Sequence, residues 1–80
     1  MRIQVRLYAS LERYMPAARV GTSFQYTEVE EGTTVGRCLQ MLRIPTDTVK
    51  LIFLNGVHAQ MDQVLKEGDR VGVFPPVAGG

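Results

Sequence analysis

The chain closes on FPPVAGG, and the group best suited to react stands at its end. Gly80 carries an α-carboxylate, ionised at neutral pH with an ordinary pKa of about 3.3–3.7. Gly79 and Gly80 have no Cβ, so this stretch has the thinnest possible backbone and can take φ values closed to other residues. Pro75 and Pro76 fix φ near −65° and lack an N–H, which stiffens a stem and stops strand pairing. With Val77 and Ala78 between them, the segment reads as a stalk with a slender tip. A carboxylate is a poor electrophile until it is activated. Adenylation with ATP converts it to a mixed anhydride, which sulfur or nitrogen nucleophiles attack. A narrow end allows another protein to hold the reacting atoms within about 3–3.5 Å of each other.

The rest of the chain offers little chemistry. His58 is the single histidine and Cys38 the single cysteine, and a nitrogen–sulfur metal site needs three or four such ligands. Cys38 falls on an apolar helical stripe, which predicts a packing role, since a reactive thiol needs exposure and nearby positive charge. His58 follows an Asn-Gly turn and reads as a surface or edge residue. Glu28, Glu30 and Glu31 precede a helix, where negative charge is favoured. Asp62, Glu67 and Asp69 stand at turns, where acidic residues are common. Gly21, Gly32, Gly36 and Gly56 match neither phosphate-loop nor dinucleotide spacing. Arg2 and Arg6 share one face of the first strand, with Arg70 near them, and read as a solvated face or a docking face for an acidic protein. The reacting group is therefore expected at the terminus.

The elements that present this terminus follow from periodicity. Ile3, Val5 and Leu7 alternate with polar residues in RIQVRLY, a half-buried strand. ASLERYMP suits one helical turn stopped by Pro16, and AARVGTS a loop. SFQYTEV alternates again and predicts a strand antiparallel to the first. Val35, Cys38, Leu39 and Leu42 fall at i, i+3, i+4 and i+7, a helix stripe. Thr34 is its N-cap, and Pro45 ends it at or before Ile44. Gly36 would let this helix approach the sheet closely. Leu51–Leu54 form an apolar run ending in Asn55-Gly56, the strongest short hairpin signal, with Val57 starting the return strand. MDQVL suits another single helical turn. Gly68-Asp69 make a turn before a last strand through Val71 and Val73. One helix cannot cover both faces of a sheet, so the order predicts an α+β fold, a mixed sheet of four to five strands over one main helix. If the strands flanking the helix are parallel, that crossover is right-handed.

Composition sets the outer bounds. Eighty residues, 45% hydrophobic, support one small domain. A net charge of +1 gives no bulk attraction to nucleic acid or anionic membrane. One cysteine fits a reducing compartment. MRIQVRLYAS lacks the apolar run of a secretion signal, and no stretch approaches the ~20 apolar residues of a membrane span. These features predict a cytoplasmic protein, monomeric when free.

The segments VRLYASL, EEGTTVGRCL, VKLIFLNG and above all LKEGDRVGVFPPVAGG resemble the MoaD/ThiS family of ubiquitin-like sulfur carriers. The likeness is greatest to the small subunit of molybdopterin synthase and spans the whole chain. It implies a ubiquitin-like β-grasp domain over residues 1–74 and a flexible Gly-Gly tail over 75–80. It implies a carrier, not an enzyme, with no bound cofactor. An E1-like adenylating enzyme of the MoeB/ThiF type would use ATP to activate Gly80, and a sulfur donor would make the thiocarboxylate. The tail, Pro75 to Gly79, would thread into a molybdopterin synthase large subunit or other sulfur acceptor. There the sulfur passes to a pterin precursor, forming the dithiolene that binds molybdenum or tungsten. Tyr8, His58 and Phe74 match the family's docking patch beside the tail root. The alternatives are a thiamine-pathway sulfur carrier and a protein modifier conjugated through Gly80.

Overall fold

The computed structural model describes residues 1–14 and 24–76. Strand β1 (Arg2–Leu7) leads into a 3₁₀ helix (Ala9–Tyr14), followed by β2 (Phe24–Glu28), helix α1 (Val35–Met41), a 3₁₀ turn (Thr46–Thr48), β3 (Leu51–Leu54), β4 (Val57–His58) and β5 (Arg70–Phe74). The five strands form one mixed sheet in the order β2-β1-β5-β3-β4. β1 is antiparallel to β2 and parallel to β5, which is antiparallel to β3, as is β4. It follows that β2 and β3 run the same way, so α1 lies on a crossover between parallel strands, a relation the element order left open.

Alternation along the strands divides the sheet cleanly. Ile3, Val5 and Leu7 of β1, Ile52 of β3 and Val71 and Val73 of β5 point inward and are buried. Val35, Cys38 and Leu39 of α1 pack onto them, and Leu11, Val29, Ile44 and Leu65 close the edges. Tyr26 pairs in register with Gln4 on the outer face and is exposed.

The helix is held at both ends by specific contacts. Thr34 is the N-cap, its Oγ1 accepting from the Arg37 N–H at 3.2 Å. The segment after β4 supplies the other acceptors. The Val35 and Gly36 N–H groups donate to the Gln63 and Met61 carbonyls at 2.9 and 2.8 Å. MDQVL is therefore not a helical turn. It is a turn at Met61-Asp62 and then an antiparallel bridge from Val64 to Thr34. Its backbone carbonyls are better used satisfying the free N–H groups of α1 than a helix of their own. The close approach at Gly36 is accordingly to Met61 and not to the sheet: a Cβ there would lie 3.3 Å from the Met61 carbonyl oxygen.

At the other end Arg43 takes φ +60°. Its N–H donates to the Gln40 carbonyl at 2.9 Å and that of Ile44 to the Leu39 carbonyl at 3.0 Å. This is a Schellman motif with arginine where glycine is usual, and Pro45 follows it. The acidic run before α1 does not cap it, and the first turn holds no acidic residue. Glu28 instead lies 3.7 Å from Arg2 Nε and 4.0 Å from the Met1 ammonium.

Candidate functional site

β5 carries the chain to Phe74, where the Lys50 N–H donates to the Phe74 carbonyl at 2.8 Å. Pro75 is half-buried and Pro76 exposed, and neither has an N–H to continue the ladder. Val77, Ala78 and Gly79, the outer part of the expected threading segment Pro75 to Gly79, and the reactive terminus Gly80 lie outside the described residues.

Around this root the outer face of the sheet is aromatic. Tyr8 and Phe74 stack with ring centroids 4.1 Å apart and planes 6° from parallel. Phe74 meets the edge of Phe53 at 5.6 Å and 85°. Phe53 meets His58 at 5.9 Å and 78°. The predicted trio of Tyr8, Phe74 and His58 is thus one continuous row, with Phe53 as its unforeseen middle member. Phe53 sits within an unbroken apolar run, where periodicity cannot say which way it points. Its register partners, Gly72 in β5 and His58 in β4, put it on the outer face. Leu51, opposite Phe74, extends the apolar surface and is exposed.

Gly72 lies beneath the row. This residue lies in the middle of β5, opposite Arg6 and Phe53. A Cβ built on it would lie 3.4 Å from Tyr8 Cε2 and 3.9 Å from Phe74 Cε1. The Tyr8 ring therefore lies close over a bare stretch of backbone. Next to it Arg6 donates from Nη1 to the Tyr8 hydroxyl at 3.5 Å, with its guanidinium 5.9 Å from the ring centroid. Arg2 sits 5.2 Å from the Tyr26 ring. The face is both aromatic and basic, as the positions of Arg2, Arg6 and Arg70 suggest.

Asp69 was expected to be an ordinary turn residue and is instead buried. Its Oδ2 accepts from the Lys66 N–H at 2.6 Å, and its Oδ1 accepts from Asn55 Nδ2 at 2.9 Å. Asn55 Oδ1 in turn accepts from the Arg70 N–H at 2.9 Å. The hairpin turn is thereby tied to the start of the strand that leads to the tail. Cys38, by contrast, has no part in the face. It is fully buried in α1, and desolvation pushes its thiol up to about 11. Among the described residues no group of three or more His, Cys, Asp or Glu could hold a metal ion. No helix among them is long and apolar enough to cross a membrane.

One α-helix among the described residues against a five-stranded mixed sheet, with the last strand ending at Phe74 in an aromatic row, is a ubiquitin-like arrangement. The ThiS family model matches residues 14–80. The chain belongs to the ThiS family. Its members are small ubiquitin-fold sulfur carriers and not catalysts. No curated protein matches the chain. Among solved structures it is similar to the HVO 2177 protein of Haloferax volcanii, at 28% identity and a TM-score of 0.77, over 100% of this chain and 87% of that one. It is similar to small archaeal modifier protein 1 of the same organism, at 21% identity and a TM-score of 0.74, over 100% of both chains. A third likeness is to the complex of subunits 1 and 2 of the molybdopterin-converting factor from Helicobacter pylori. There identity is 20% and the TM-score 0.61, over 100% of both chains. The two likenesses near 20% identity carry the fold alone.

Proposed function

We propose that this ThiS-family chain carries sulfur on Gly80 for molybdopterin biosynthesis in the cytoplasm. An E1-like enzyme joins the Gly80 carboxylate to the α-phosphorus of ATP and releases pyrophosphate. Hydrosulfide or an equivalent sulfur donor then attacks the acyl carbon. The C–S bond forms, the C–O bond to the phosphate breaks and AMP leaves, giving the thiocarboxylate. The tip enters a larger synthase subunit and delivers its sulfur to a pterin precursor. The observation that carries this reading is that the family match extends through the terminal Gly-Gly, with an aromatic row at the root of that segment. The likeness to one subunit of a two-subunit molybdopterin-converting factor supports a large-subunit partner.

The test is intact mass spectrometry after incubation with ATP, magnesium, an activating enzyme and sulfide. The expected result is a mass gain equal to the exchange of one oxygen for one sulfur, lost when Gly80 is deleted. Thiolation of the truncated chain would sink the reading. The likeness to a small archaeal modifier protein favours a second reading, in which a lysine amine captures the activated Gly80. That reading requires higher-mass conjugates in denaturing gels of cell extract, absent when Gly80 is deleted.

A further inference from the structure

Beside the aromatic row the outer face holds a shallow pocket of about 330 Å³, whose lining includes Gln4, Arg6, Tyr8, Gly56, Arg70 and Gly72. Its walls come from two adjacent strands in fixed register, Gln4 opposite Arg70 and Arg6 opposite Gly72. Two guanidinium groups and one carboxamide therefore border the same opening. Arg70 is exposed and has no ion-pair partner among the described residues. Glu28, the strand carboxylate on this face among the described residues, is already beside Arg2.

Gly72 is one of the residues that line the pocket, and it adds no side chain to it. Gly72 is not needed for a left-handed backbone, since it is not among the positive-φ glycines. A Cβ there would make only ordinary van der Waals contacts. Glycine inside a strand weakens it, and can mark a bulge, a tight bend or a place where a ligand or another backbone comes close.

We propose that this pocket receives an aspartate or glutamate side chain of a protein partner, with an apolar neighbour of that residue lying on Tyr8, Phe74 and Phe53. Arginine presents paired donors that match a carboxylate, and the rings alongside offer apolar contact of the kind found at protein interfaces. The pocket rests on geometry and charge and does not depend on the chemistry of Gly80.

The test is a titration of the ¹⁵N-labelled full chain, followed by amide shifts, with an acetylated and amidated Glu-Leu-Phe peptide. The expected response is centred on Gln4, Arg70 and Gly72. The Gln-Leu-Phe analogue binds about tenfold more weakly, the scale of one lost charged hydrogen bond. Arg70→Ala gives a similar loss and Arg70→Lys a smaller one. Gly72→Ala keeps the fold, as its far-ultraviolet dichroism shows, and weakens binding. Equal binding of the glutamine peptide, or indifference to Arg70→Ala, overturns the proposal. So does inorganic phosphate moving the same amides at the same concentration, which would make this a small-anion site.

Discussion

Cys38 is sealed in the core, and its raised thiol pKa has consequences that can be measured. In the unfolded chain the thiol ionises near its ordinary value of about 8.5, whereas in the folded protein it stays protonated until about 11. Below the lower value both states hold the proton, and the burial costs nothing in ionisation. As pH rises through this window the unfolded state loses its proton first, and the folded state loses stability. Urea midpoints should therefore fall between about pH 8 and pH 10.5, and Cys38→Ala should fall less over the same interval. Alkylation of native Cys38 should proceed at the rate of unfolding, well below that of a free thiol. Arg43 is constrained by backbone and not by burial. Its φ of +60° is costly for any residue with a Cβ. Arg43→Gly should raise stability by about 1 kcal/mol, read from the same denaturation curves.

At the scale of elements, the Asn55-Gly56 hairpin does more than reverse the chain. Asn55 takes φ +53° in the turn, while its side chain links Asp69 to the Arg70 N–H. Asn55→Gly keeps the turn geometry and deletes both side-chain bonds. It should cost about 1–3 kcal/mol, because Asp69 loses a partner in a buried setting. Asn55→Ala adds the strain of a left-handed alanine, about 1 kcal/mol more, and chemical denaturation separates the two. These elements were unequally legible in the sequence. The alternation of Ile3, Val5 and Leu7, the stripe through Val35, Cys38 and Leu39, the Thr34 cap and the Asn-Gly turn all express local rules, and each stands where the spacing puts it. What escaped were contacts made by tertiary register. Phe53 was hidden in an apolar run, Asp69 looked like any turn aspartate, and the 61–65 segment gave up a helical turn to cap α1. Arg43 escaped because the usual glycine signal was absent.

On the proposed function the molecule divides its work between a face and a tip. A domain of 80 residues buries only about 60% of its unfolded surface, and its inner sheet face is fully used by α1 and the loops. The outer face is left aromatic and basic, and β5 leads from that face directly to Pro75 and Pro76. If the row at Tyr8, Phe53, His58 and Phe74 docks the activating enzyme while Gly80 reacts, the two functions are separable. Phe74→Ala removes one of the two inner rings of the row at a modest stability cost, because Phe74 is only half-buried. In ATP–pyrophosphate exchange its KM for the carrier should rise about tenfold with kcat nearly unchanged, the signature of lost uniform binding. Deletion of Gly79 and Gly80 should do the reverse, abolishing exchange while calorimetry still detects complex formation. A Phe74→Ala chain with unaltered KM, or a truncated chain that no longer binds, would mean that the enzyme recognises the tail alone and that the aromatic row serves some other contact.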